Sequence, residues 1–449
     1  MDDFSRTWIP PQYNVSRPPI LEKVINLNED PNFTQNFARI TKWSPDGSFY
    51  LSQCENRSFQ LGNSEPLVSN TSSSQVTFEY RQPASIVDFA WYPTATPKDP
   101  ATFCFVASIR EFPVKLLDAS DGRLRASYPI IDHRERFIAP QSLTFNLTAQ
   151  KLYCGFENAI EIFNVAYPGQ GTRLATTPNK SSKDGLKGLI SALAFCPSYE
   201  SDMFAAGSLN ANGANISLFS ESQGEIPLMF LDGVKAGVMQ LQFNPIQPYM
   251  LYASFRRDTR IFCWDIRYNS DQPFKIYAPS PVSLLGGVQA YSSSFKESTN
   301  QKHRFDIDIS GKYLSVGRQN GDVLLYELDN SQPSDSLEFR GEENEPVIVH
   351  PTVVFPAHEG EGREHVLFCY ILLSNHFSSD SIGSVAFHPT TSRLLSTSGS
   401  RNFDDGFSDS EDSTSDSDDA RSGTTTAGSV RQRKRQPLVR DNSLKLWKF

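Results

Sequence analysis

The chain has 449 residues, a net charge of −9 and 38% hydrophobic residues, with aromatics alone making up 12% of the chain. That length exceeds one ordinary core, so it requires either several domains or one closed repeat array. The 32 Phe exclude a wholly disordered chain, and 29 Pro with 26 Gly exclude a mostly helical one.

Residues 1–19 form an N-terminal tail. It begins MDDFSRTWIPPQ and has no apolar h-region, so no signal peptide is expected. The longest apolar run, Val366 to Leu373, is far too short to span a bilayer, and no membrane partner is expected. The six cysteines lack any CxxC pair, which argues against a disulfide scaffold or a structural zinc site and for a soluble intracellular protein.

From residue 20 onward one unit recurs: an apolar strand, a turn often holding Pro, a second strand, a polar turn, then a third strand. The first strands end on Trp43, Trp91, Phe145, Phe195, Phe243, Ile307 and Phe387, and the first four steps are 48, 54, 50 and 48 residues. Short strands with period-2 alternation at this spacing predict propeller blades. Cys263-Trp264-Asp265 supplies a WD dipeptide, and Leu446-Trp447 ends a matching third strand. The reading is all-β: a seven-bladed WD40 propeller over 20–449, favoured over two β-sandwiches. The last blade lacks a fourth strand, and a segment near Ile20–Leu27 is predicted to supply it and remove the free edges.

Two insertions interrupt the array, one before the last blade and one within it. The first, 330–380, contains the run HVLFCYILL, which fits no blade strand. The second, 402–439, is too poor in apolar residues to fold alone and is expected to be disordered. Asp404 to Asp419 carries −8 of the net −9, so the blades are close to neutral. Ser408, Ser413 and Ser415 each precede an acid by three residues, the pattern of acceptors for an acid-directed kinase. Arg431 to Arg435 reads either as a nuclear import signal or as charge balance for the acidic tract.

No nucleophile–base set, P-loop or HExxH pattern appears, so no enzyme and no cofactor is expected. His350, His358 and His365 read as solvated loop histidines rather than metal ligands. The cysteines read as small buried hydrophobes, and Trp43, Trp91, Trp264 and Phe243 as packing between blades.

The turns carry the functional signal. In a propeller the turns between second and third strands, and the loops entering each first strand, share one face. The turns place Arg57, Arg110, Arg256, Arg257, Arg318 and Arg401 there; the entering loops add Arg81, Arg134, Lys235 and Arg304. The planar guanidinium fork suits phosphates and guanine edges. The alternative is pairing with carboxylates such as Glu111, Asp258 and Asp322. The cluster as a whole favours RNA binding, with a protein-interaction scaffold as the rival.

Several segments resemble the telomerase Cajal body protein family. These are Asn36-Phe37 with Lys42-Trp43-Ser-Pro-Asp-Gly47, and Asp88-Phe-Ala-Trp-Tyr92. Arg110-Glu111-Phe-Pro113 with Gly122-Arg-Leu-Arg-Ala-Ser127, and Cys154-Gly155-Phe156 with Tyr167-Pro168-Gly169, follow. Arg256-Arg257-Asp258 and Cys263-Trp264-Asp265-Ile-Arg267 complete the set. The resemblance covers roughly 36–330, 381–400 and 441–449. It implies binding of the CAB-box loop of small Cajal-body RNAs (scaRNA) or telomerase RNA. It also implies ribonucleoprotein assembly with box H/ACA proteins, folding by a cytosolic chaperonin, and residence in nuclear bodies. The alternative is a WD-repeat scaffold in pre-mRNA splicing or another nuclear complex. The family's Gly-His step entering blade five is Gly233-Val234 here, and bracing histidines are expected to be scarce.

Overall fold

A computed structural model describes residues 9–64, 76–178, 184–211, 213–224, 226–268, 271–279, 301–328, 345–358, 380–399, 439 and 441–449. Arg401, Ser408, Ser413, Ser415, the HVLFCYILL run and the basic cluster lie outside these residues.

Strand β1 (Ile20–Ile25) precedes the first blade, β2 (Ala38–Trp43), β3 (Phe49–Cys54), β4 (Ser58–Asn63) and β5 (Val76–Arg81). Blade two is β6 (Ile86–Trp91), β7 (Cys104–Ile109), β8 (Val114–Asp118) and β9 (Leu124–Tyr128). Blade three is β10 (Ser142–Phe145), β11 (Lys151–Phe156), β12 (Ala159–Asn164) and β13 (Thr172–Ala175). Blade four is β14 (Ile190–Phe195), β15 (Met203–Ser208), β16 (Ile216–Ser220) and β17 (Met229–Leu231). Blade five is β18 (Val238–Phe243), β19 (Met250–Phe255), β20 (Ile261–Asp265) and β21 (Lys275–Tyr277). Blade six begins with β22 (Phe305–Ile307), β23 (Tyr313–Gly317) and β24 (Asp322–Glu327). After these come β25 (Val347–Val349), β26 (Val353–Pro356), β27 (Ile382–Phe387), β28 (Arg393–Ser398) and β29 (Leu444–Lys448).

Seven sheets result, each with four antiparallel strands, so the seven-bladed propeller stands. Every first strand ends on the aromatic or Ile expected of it. Blade seven is ordered β1-β29-β28-β27, with Ile20 opposite Lys448 and Ile25 opposite Leu444. The N-terminal segment therefore closes the ring, supplying the fourth strand that the last blade lacks.

One stretch differs from expectation. Residues 347–356, read as part of an insertion, are strands of the array. β26 is the fourth strand of blade six, and β25 runs parallel to β21 as a fifth strand on blade five. Neither signal is local, because each strand pairs across a long gap in the chain.

Two devices shape the ring. Five first strands carry a register shift at one place: Ala38/Ile40, Ile86/Asp88, Ile190/Ala192, Val238/Gln240 and Ile382/Ser384. Such bulges bend the strand and re-aim its side chains. Beside them the blades approach closely. A Cβ on Gly207 would lie 2.5 Å from a Val238 methyl, and one on Gly317 would lie 2.3 Å from a methyl of Ile382. Glycine is needed there because the next blade's branched side chain occupies the space. The tryptophans do pack between blades: Trp43 Nε1 donates to the Ala386 carbonyl at 3.2 Å, and Trp91 Nε1 to that of Lys42 at 3.2 Å.

Candidate functional site

Hydrogen bonds place the arginine-bearing turns and the entering loops on one face. The Arg110 N–H donates to the Ser85 carbonyl at 3.0 Å, that of Arg256 to Gly237 at 2.8 Å, and that of Gln82 to Arg57 at 2.8 Å. The same link joins Asn158 to Gly188 at 2.8 Å and Ile382 to Arg318 at 3.1 Å. Arg57, Arg257 and Asn158 have positive φ of 67°, 61° and 57°. Glycine would relieve that strain. The chain keeps a long side chain at two of these turns instead, at the point where it projects from the face.

The predicted residues divide by environment. Arg57, Arg110, Arg134, Arg256, Arg257 and Lys235 are exposed, and Arg318 is half-buried. Arg81 is committed to carboxylates, with Asp30 at 3.3 Å and Glu79 at 3.1 Å. Asp258, expected as a partner for neighbouring arginines, is held by Arg260 at 2.7 Å instead. Asp322 accepts from Asn320 at 2.6 Å. Arg304 does not project from the face. Its side chain turns inward to the central channel, where Nη1 donates to the Met239 carbonyl at 3.3 Å.

The channel is lined by all seven first strands and encloses a cavity of about 400 Å³. Hydrogen bonds between blades line much of it. Gln240 makes a reciprocal pair with the Phe305 backbone at 2.8 and 3.1 Å. Asp306 accepts from Gln242 at 3.0 Å and from the Ile307 and Phe387 N–H groups at 2.9 and 2.8 Å. Burial, with Asp308 nearby, still pushes the Asp306 carboxyl up to about 6.

A second polar site lies in blade seven. His358 was expected to be a solvated loop histidine, but it is 1% exposed. Its Nδ1 lies 2.9 Å from Asp441 and its Nε2 2.8 Å from Ser396 Oγ, which also accepts from Trp447 Nε1 at 2.9 Å. This is a bracing histidine of the kind expected to be scarce; its Gly-free context, Ala357-His358, hid it. His350 is exposed, and His365 lies outside the described residues. The five described cysteines are buried, with burial pushing the Cys54 thiol up to about 12 and that of Cys104 up to about 11. Such thiols are poor nucleophiles.

A closed ring of seven blades, tryptophans packed between them and arginine-bearing turns on one face together define a WD-type β-propeller. No family model matches the chain. It is 28% identical to mouse telomerase Cajal body protein 1 over 377 residues, 82% of this chain and 60% of the mouse protein. The golden hamster protein of the same name is 30% identical over 305 residues, 66% of this chain and 52% of its own length. The chain is also 26% identical over 308 residues to guanine nucleotide-binding protein negative regulator 1 of Schizosaccharomyces pombe, covering 65% and 71%. The family resemblance read from the motifs therefore holds: within the propeller class this chain is a relative of the telomerase Cajal body proteins. It spans about half to three fifths of the length of the mouse and hamster proteins.

Proposed function

We propose that the chain is a non-enzymatic adaptor that binds a looped segment of a small noncoding RNA, of the scaRNA or telomerase RNA type, on its arginine-bearing face. The observation that carries this reading is the exposure of Arg57, Arg110, Arg256 and Arg257 on turns that hydrogen bonds hold to one face. Exposed Arg134 and Lys235 and half-buried Arg318 extend the positive surface. Guanidinium groups grip phosphates there, while unstacked bases of a CAB-box loop offer their edges for bidentate contacts. The names of the relatives, which join telomerase to the Cajal body, support the same reading. Delivery of the RNA to nuclear bodies with box H/ACA proteins, after folding on a cytosolic chaperonin, completes the proposal.

The double substitution Arg256→Ala/Arg257→Ala tests it by filter binding to a CAB-box hairpin. Affinity is expected to fall about tenfold or more. The slope of log affinity against log salt should shrink by about 0.7 for each phosphate no longer gripped. Unchanged affinity with an unchanged slope would remove the basis for the proposal.

A further inference from the structure

Most of the channel wall is neutralised by hydrogen bonds between blades, but one sector is not. Asp88 Oδ2 accepts the Leu143 N–H at 2.9 Å. Its Oδ1 is buried and accepts no hydrogen bond, since Lys42 Nζ stops 3.8 Å away and Arg304 Nη2 4.0 Å away. Arg304 Nε is likewise buried without a hydrogen-bond partner. Lys302, two residues before Arg304 and outside the cavity lining, adds to the positive field. Its ammonium is pushed down to about 8, first by burial and then by the charges of Arg304 and Lys42. Two cations of the lining, Lys42 and Arg304, thus face one carboxylate in a cavity of about 400 Å³. Leaving a buried donor and a buried acceptor unmade at the same place is costly. The two unmade bonds point to one ligand chemistry, an anion that also carries a hydrogen-bond donor.

We propose that the central channel binds hydrogenphosphate at Lys42 and Arg304, with Asp88 Oδ1 accepting a hydrogen bond from its P–O–H group. The unprotonated oxygens answer the cations from blades one and six. The hydroxyl answers the carboxylate from blade two, which would repel an anion lacking a proton. The site therefore selects against sulfate, which has the same shape and no donor at neutral pH. It also disfavours a phosphodiester, whose phosphorus bears no hydroxyl. Selectivity arises from the group left unpaired when the wrong anion enters.

The test uses the full chain at pH 7.5, with sodium phosphate, sulfate and chloride compared at equal ionic strength. Calorimetric titration supplies affinity, and thermal unfolding supplies stability. Phosphate is expected to bind saturably and raise the melting temperature, with sulfate at least about tenfold weaker. Arg304→Gln should weaken phosphate about tenfold or more. Arg256→Ala/Arg257→Ala, on the outer face, should leave it unchanged. Asp88→Asn keeps an oxygen for the Leu143 N–H but turns the acceptor into a donor, so preference should shift toward sulfate. That inversion cannot be produced by simple loss of folding. A phosphate response equal to that of chloride, or one retained in Arg304→Gln, overturns the proposal. Displacement of phosphate by single-stranded RNA with undiminished RNA affinity would make a phosphodiester the occupant and overturn the hydrogenphosphate assignment. No RNA is needed for the primary titration, so its failure is separate from failure of the RNA reading.

Discussion

Blades five and seven solve the same packing problem with opposite chemistry. In blade seven, Trp447 lies opposite Leu394, and its indole joins Ser396, His358 and Asp441. In blade five, Trp264 lies opposite Leu251, which puts Ala253 in the place of Ser396 and Asp258 in the place of Asp441. Val234, Ala253 and Trp264 share one apolar cluster, and Trp264 Nε1 donates to the Asp232 carbonyl at 3.2 Å. Asp258, released from any histidine, binds Arg260.

The chain path explains the difference. The four antiparallel strands of blade five come from one continuous segment, Val238 to Tyr277, and the distant β25 is added only at its outer edge. Blade seven is gathered from pieces that lie far apart in sequence, His358 and Asp441 being 83 residues apart and Ser396 and Trp447 51. Apolar contact is non-directional and suffices where the chain itself sets the register. A hydrogen-bonded network has one geometry, and it specifies how distant pieces must meet.

The largest expected effect that probes this contrast comes from Ser396→Ala. It strips the shared partner from His358 and Trp447 together, and unfolding free energy should drop by about 2–4 kcal/mol in urea titration. A loss below about 1 kcal/mol would mean the network does not hold the blade. Next is Ala253→Ser in blade five, which buries a hydroxyl among apolar groups and should cost about 1–3 kcal/mol. Adding Val234→His should recover part of that loss; strict additivity of the two changes would show that the two blades are not interchangeable designs.

The smallest effect is in acid. Burial holds His358 below its ordinary value of 6.5, against the opposing pull of Asp441. The unfolded chain therefore binds a proton that the folded chain refuses. Stability is complete above about pH 6.5 and declines as pH falls below it, by up to about 1.4 kcal/mol per pH unit for one such group. Comparing urea midpoints at pH 7.5 and 5.5, His358→Gln should flatten this decline, whereas Val234 in blade five offers nothing to titrate. A decline of equal steepness in both proteins would place the acid sensitivity elsewhere.

The blades were legible because each repeats a local signal: a first strand ending on an aromatic, a turn, then two apolar strands. Closure by Ile20–Ile25 was legible because an incomplete last blade demands a partner. β25 and β26 were not, since Val347–Val349 and Val353–Pro356 are short and their partners are set by distant packing. The WD dipeptide at Trp264-Asp265 pointed to the blade without the network, while His358 stood unmarked in a stretch read as an insertion. Turn arginines could be assigned to a face from their position alone. Which of them would find a carboxylate could not, because Asp30 beside Arg81 and Asp88 beside Arg304 come from other parts of the ring.

The ladder between β1 and β29 also has a mechanical direction. The chain leads away from Ile20 and from Lys448 at the same end of that ladder. A pull on those two flanks loads one rung at a time, beginning at Ile20 and Lys448, and the pair peels apart like a zip. The same ladder pulled from Ile20 and Leu444 would bear the load in shear, with all rungs sharing it. A cargo tethered through both flanks of blade seven would therefore pry the ring open at low force, while one gripping the turn face would leave the seam unloaded.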